Sequence, residues 1–396
     1  NMPENHFKFT FDSRARLVFI LLAGVFTTLA ALPVLAAVES EETINWGVMG
    51  MQLFGGLALF LFGMEQMADA LKAVAGNRMK TILAKLTSNR FMGAITGAFV
   101  TAVIQSSSVT TVLVVGFITA GLMSMAQSVG VIMGANIGTT ITAQIVAFKV
   151  TKAALLMIGV GFSMLFTSKS ERTRQYGAML MGLGLVFFGM SVMSDAMKPL
   201  RTYQPFLDLM IHMENPLIGI IIAATFTGLI QSSSATTGIV IVMASQGFIT
   251  LPAGIALAFG ANIGTCVTAM LASIGKPREA VRAATVHVLF NVAGVVLWFM
   301  FIPQLAHLVT WLSPSHPELS GVDRLGAETP RQIANAHTIF NVANTLIFIG
   351  LSTHFARLVE RLIPDRPIEE EGLVVTAKYL EPELLSTPAL ALDRVR

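Results

Sequence analysis

Charge is scarce in this chain. Only 12% of its 396 residues are Asp, Glu, Lys or Arg, about half the ~25% usual in soluble domains. Two stretches, 91–148 and 215–275, carry no charged side chain at all. A water-facing surface cannot be built from so little charge, which excludes a soluble multidomain protein despite the length. A single cysteine, Cys266, excludes an intrachain disulfide and a multi-cysteine metal centre. Trp and Tyr number three each, and no basic patch is interleaved with aromatics, so nucleic-acid binding is excluded too.

What is present is apolar: 54% of residues and a mean hydropathy of +0.70. This is the composition of an integral membrane protein. Its 33 glycines and 22 methionines suit membrane helices that pack closely or slide. At the N-terminus, Lys8, Arg14 and Arg16 precede an apolar run over 17–38. Residues 1–46 read either as a secretory signal with its linker or as an uncleaved first membrane helix. At the other end, 364–396 is polar and includes Glu369, Glu370 and Glu371. There Ser386-Thr387-Pro388 has the cap-then-proline pattern of a helix start. That pattern predicts the beginning of a soluble cytoplasmic helical domain.

Self-similarity carries the most information. Gln105-Ser106-Ser107-Ser108 recurs as Gln231-Ser232-Ser233-Ser234, an offset of 126 residues. Gly134-Ala135-Asn136-Ile137-Gly138-Thr139 recurs at the same offset as Gly260-Ala261-Asn262-Ile263-Gly264-Thr265. Upstream, Gly63, Met64, Met67, Asp69, Ala70 and Lys72 match Gly189, Met190, Met193, Asp195, Ala196 and Lys198 in the same register. Two repeats follow, 47–172 and 173–303, with an external loop and last membrane helix over 304–363.

Either charge-free run, as one helix at ~1.5 Å per residue, would extend roughly 90 Å, nearly three times a ~30 Å hydrocarbon core. Each is therefore expected to fold as a re-entrant hairpin, with the serine motif at its turn, followed by one full crossing. Loop charge sets the topology. Residues 68–90 carry Lys72, Arg78, Lys80, Lys85 and Arg90 against Asp69, whereas 194–216 carries Lys198 and Arg201 against Asp195, Asp208 and Glu214. Equivalent loops on opposite sides mean repeats of inverted topology. The expected fold is an all-α membrane protein of about eight crossings and two re-entrant hairpins, with the C-terminus cytoplasmic.

Inverted repeats with helices interrupted at matching positions are a transporter pattern, with the site near the midplane. Each hairpin offers a serine motif and two threonines, Thr110-Thr111 and Thr236-Thr237. Hydroxyls donate to an oxyanion, and their lone pairs coordinate a hard cation such as sodium. Helix N-termini at the break add N–H donors for an anion. With no fixed cation in the charge-free runs, an anion can be held if cations enter with it. Asn136 and Asn262 read either as ligands or as pins of a helix break. Asp69 with Lys72, and Asp195 with Lys198, read as ion pairs. Glu65 is an intramembrane acid, a functional candidate by type, but Ser191 stands at its repeat position. His287 and Asn291, like His337 and Asn341 in a similar segment 50 residues on, are expected to bond across helices. Cys266 reads as a packing residue.

The doubled Gln-Ser-Ser-Ser and Gly-Ala-Asn-Ile-Gly-Thr motifs resemble the type II sodium-phosphate cotransporter family in its bacterial branch, over about 46–350. The resemblance implies sodium-driven uptake of inorganic phosphate across the bacterial inner membrane. It implies phosphate binding by Ser106, Ser107, Ser108, Ser232, Ser233 and Ser234. Sodium would be held by Gln105, Thr110, Thr111, Gln231, Thr236, Thr237, Asn136 and Asn262. Sodium is then a co-transported substrate, and no cofactor is implied. Bacterial relatives often add a domain resembling the phosphate-regulatory protein PhoU, as the tail would fit. Some animal members have an aspartate soon after the first serine motif, linked to an extra sodium ion; this chain has Thr119-Ala120-Gly121 there. Two sodium ions per divalent phosphate, an electroneutral cycle, is the expectation. Arsenate or sulfate are alternative substrates, since the same donors bind any tetrahedral oxyanion. A rival from another class is an intramembrane serine hydrolase with His287 or His337 as base. A homodimer is one possible assembly.

Overall fold

A computed structural model describes residues 44–364 apart from 77–80, 84–86, 88 and 149. The apolar run 17–38, the basic residues Arg78, Lys80, Lys85 and Lys149, and the tail from 365 lie outside the described residues. Within them the chain is helical, with no strand. The first set of helices comprises α1 (Trp46–Ala75), α2 (Arg90–Ile104), α3 (Ser107–Thr119), α4 (Met125–Val146) and α5 (Ala154–Thr167). The second comprises α6 (Glu171–Met197), α7 (Gln204–His212), α8 (Pro216–Ile230), α9 (Ser233–Ser245), α10 (Leu251–Ser273) and α11 (Arg278–Phe299). Then come α12 (Ile302–Leu312), α13 (Gly321–Ile349) and α14 (Ser352–Leu362).

By length and composition five segments can cross a membrane: α1, α4, α6 with the turn that follows it, α10 and α11. The count is up to seven if two bent pairs, α7 with α8 at 99° and α13 with α14 at 77°, are each one span. Of the eight crossings expected, the first would fall in 17–38.

The repeat register survives in the helix bounds. Shifting α2 (Arg90–Ile104) and α3 (Ser107–Thr119) by 126 residues lands on the bounds of α8 and α9. The caps explain why. Asn89 accepts from the Met92 N–H at 2.9 Å and Asn215 from the Leu217 N–H at 3.0 Å. Ser124 forms a capping box with Gln127 at the start of α4, and Thr250 caps α10. Each of these polar side chains satisfies N–H groups that a helix start leaves open.

Close approach is set by glycine. In α4, a Cβ on Gly134 or Gly138 would collide with the Ala94 or Ala98 carbonyl oxygen of α2. In α10, Gly260 and Gly264 meet the Ile220 and Ala224 carbonyls of α8 in the same way. The two glycines of each Gly-Ala-Asn-Ile-Gly-Thr motif thus seat one arm of a hairpin against the following helix. α4 and α10 run unbroken through Asn136 and Asn262, so the expected alternative of a helix break at those residues is not observed. α1 and α6 pack along their length and antiparallel, with Gly56 on Gly189 and Gly63 on Gly182. Because Gly56 and Gly63 are the repeat mates of Gly182 and Gly189, the contact is its own image under exchange of the repeats.

Candidate substrate site

Each hairpin turns through a single left-handed residue. Gln105 (φ 60°) and Gln231 (φ 55°) are the non-glycine residues with positive φ among those described. Each closes the first arm with an N–H bond of 2.7 Å, to the Thr101 and Thr227 carbonyls respectively. The next residue caps the second arm: Ser106 Oγ accepts from the Val109 N–H at 3.3 Å, and Ser232 Oγ from the Ala235 N–H at 3.2 Å. This leaves the N–H groups of Ser107, Ser108, Ser233 and Ser234 without intrahelical partners at two positive helix ends.

The two turns meet. A cavity of about 240 Å³ is lined by Gln105 to Ser108 and by Gln231 to Ser234, residues 126 apart in sequence. Its remaining wall is Ile104 and a stripe of α1: Leu61, Met64, Glu65, Ala68, Asp69 and Lys72. Asp69 and Lys72 are paired at 2.9 Å and solvent-exposed. The cavity therefore offers eight motif residues, two helix N-termini and fixed charges that sum to −1, from Glu65, Asp69 and Lys72. Sequence reasoning discounted Glu65 because its repeat mate is Ser191. The helical spacing of 61, 65, 68 and 72 was the available signal that it shares a face with the cavity wall.

The other candidate residues are buried and do not line this cavity. Thr110 Oγ1 bonds Thr101 Oγ1 at 2.9 Å, and Thr236 Oγ1 bonds Thr227 Oγ1 at 2.7 Å, tying the two arms of each hairpin. Thr111 Oγ1 donates to the Ser107 carbonyl at 2.8 Å, and Thr237 is buried on the same face of α9. Asn136 Nδ2 donates to Asn291 Oδ1 of α11 at 2.8 Å. Asn262 Nδ2 donates to Asn341 Oδ1 of α13 at 2.8 Å, with His337 Nε2 at 3.0 Å from Asn262 Oδ1. Cross-helix bonding by the late helices was expected, but the His287 ring has no hydrogen-bond partner among the described residues. Cys266 is a buried packing residue.

A second cavity, of about 270 Å³, lies at the equivalent end of α6. It is lined by Met190, Ser191, Ser194, Asp195 and Lys198, with Ile241, Val242 and Ser245 of α9, and reaches neither serine motif. At the end of α9 away from its serine motif, Gln246 Nε2 donates to Ser194 Oγ, and Ser194 lies 3.4 Å from Ser245 Oγ; Ser194 and Ser245 both line this cavity. The repeat mates of these three are Ala68, Thr119 and Ala120, which cannot make that cluster.

A family profile described as Na+/Pi-cotransporter matches residues 59–195 and 204–312. The chain belongs to the Na+/Pi-cotransporter family. Both serine motifs and both asparagine motifs fall within the matched residues. A Bacillus subtilis (strain 168) relative, "Uncharacterized protein YqeW", is 30% identical over 259 residues, 65% of this chain and 84% of the relative. The Escherichia coli (strain K12) "Putative inorganic phosphate export protein YjbB" is 27% identical over 270 residues, 68% of this chain. The match spans 50% of that relative's length. The rat "Sodium-dependent phosphate transport protein 2C" is 38% identical over 92 residues, 22% of this chain and 15% of the relative. No solved structure matches the chain. Membership makes this an integral membrane transporter of the phosphate-transport class. The family is one of transporters and not of enzymes, which overturns the serine-hydrolase alternative.

Proposed function

We propose that the chain is a sodium-coupled symporter that takes up inorganic phosphate by alternating access, with two sodium ions per divalent phosphate. The observation that carries this is the single cavity shared by the two serine motifs. Phosphate would be bound by the hydroxyls and N–H groups of Ser106 to Ser108 and Ser232 to Ser234. The side-chain oxygens of Gln105, Gln231, Thr110, Thr111, Thr236, Thr237, Asn136 and Asn262 supply hard ligands for sodium. A cavity whose fixed charges sum to −1 does not hold a dianion by itself, so cations must bind with it. This is the physical ground for coupling.

Inverted repeats support the alternation. Equivalent helices α1 and α6 pack antiparallel through exchanged glycines, as a twofold axis in the membrane plane requires. The motif cavity opens at the Asp69–Lys72 end of α1, next to the basic loop assigned to the cytoplasm. Its image at the Asp195–Lys198 end of α6 does not reach the serine motifs. On this reading the arrangement is the inward-open one, and exchange of the two arrangements would carry substrate across.

Export is a second reading, favoured by the name of the E. coli relative. Uptake of labelled phosphate into proteoliposomes, with a sodium gradient imposed in either direction, tests both. Symport requires flux to follow the sodium gradient. Flux indifferent to sodium would sink the coupling, and competition by sulfate or arsenate would widen the substrate.

A further inference from the structure

We infer that Glu65 is a sodium ligand, the one charged ligand in the transport cavity; this rests on the sodium-phosphate symporter reading above. Glu65 sits on the stripe of α1 that faces both serine motifs. The other two fixed charges there, Asp69 and Lys72, neutralise each other at 2.9 Å. Glu65 has no ion pair among the described residues. It is thus a lone carboxylate in a cavity whose other motif groups are neutral hydroxyls, amides and N–H donors.

Glu65 is exposed, like Asp69, and a bare carboxylate facing a bound phosphate repels it. A cation between the two turns that repulsion into two attractions. Sodium prefers oxygen ligands, and Glu65 with the motif hydroxyls is such a set. The arrangement is one-sided, because the repeat mate of Glu65 is Ser191, in the cavity that does not reach the motifs. The pseudo-symmetric frame therefore presents one sodium site with a charged ligand and one with neutral ligands only. Placement at the open end also orders the events: the Glu65 ion is the one exposed to the Asp69–Lys72 side when the cavity opens there.

The test uses the full chain in proteoliposomes. Phosphate uptake is titrated with sodium for wild type, Glu65→Gln and Glu65→Asp, and the ratio of labelled sodium to labelled phosphate is measured. Glu65→Gln is expected to raise the half-saturating sodium concentration by about tenfold or more and to lower the ratio by one sodium ion. Half-saturation by phosphate at saturating sodium should move little. Glu65→Asp keeps the charge, so it should retain the wild-type ratio. If Glu65→Gln is folded but does not transport, binding of labelled sodium to the detergent-solubilised protein replaces uptake, with the same expected loss. A Glu65→Gln protein with wild-type sodium dependence and ratio overturns the assignment, as does one that loses phosphate affinity alone. In that case the acid only repels phosphate at the mouth. A wild type whose uptake ignores sodium sinks the symporter reading itself, and the Glu65 assignment with it.

Discussion

Gln105 and Gln231 occupy the same left-handed backbone position in two copies of one hairpin, yet only Gln105 is tied down. Its Oε1 accepts from Thr142 Oγ1 at 2.8 Å, and its Nε2 donates to the Ala102 carbonyl. Gln231 is exposed, and Thr268, the repeat mate of Thr142, keeps an unpartnered hydroxyl. The two hairpins share a backbone and differ in side-chain locking.

The first prediction separates backbone from side chain at these positions. Gln105→Ala removes a buried amide and strands the Thr142 hydroxyl, at a cost of about 1–3 kcal/mol. Gln231→Gly relieves a left-handed backbone at no loss of a buried bond, a gain of up to about 1 kcal/mol. Thermal unfolding of the detergent-solubilised protein should show a lower midpoint for the first and an equal or higher midpoint for the second.

The serines divide into caps and binders. Ser106→Ala and Ser232→Ala each lose a cap worth about 0.5–2 kcal/mol as well as a cavity hydroxyl. Ser107→Ala and Ser233→Ala lose only a hydroxyl from the first turn, because the cap bonds to Val109 and Ala235 remain. Both 107 and 233 variants are expected to keep their unfolding midpoint and to lose phosphate uptake. Wild-type uptake in both would remove the serine motifs from the site.

Gly134→Ala drives a Cβ into the Ala94 carbonyl. The backbone of α2 must move, at a cost of about 1–3 kcal/mol, and the hairpin turn moves with it. Gly116→Ala, where nothing lies within 4 Å, is the control and should be silent. Unfolding midpoint and phosphate uptake measured together should fall for Gly134→Ala alone.

The polar cluster of Ser194, Ser245 and Gln246 should narrow the second cavity on its Asp195–Lys198 side. Ser194→Ala combined with Gln246→Leu removes both of its hydrogen bonds. Cysteine at position 191 reports on access, because the native Cys266 is buried. Labelling of Ser191→Cys by a membrane-impermeant maleimide, added from the Asp195–Lys198 side, should be faster in the double variant. Equal rates would mean the cluster does not gate.

The sequence itself determined the membrane class, the paired motifs, the hairpin turns and the family. These follow from absent charge, from a constant register and from local capping, all of which depend on near neighbours in the chain. The ion pairs at Lys72 and Lys198 were legible for the same reason, being one helical turn apart. Tertiary structure alone decided which candidates share a cavity. Ser106 and Ser232 line one cavity although they are 126 residues apart, with α3 packed on α10 and α9 on α4 across the repeats. It also separated the asparagines from the cavity wall, bonding Asn136 and Asn262 to late helices that lie outside the motif pattern. It placed Glu65 in the cavity, which repeat symmetry argued against. Symmetry in sequence constrains what two halves have in common; the charge that distinguishes the two cavities arises where α1 and α6 differ, and only packing reveals what each difference faces.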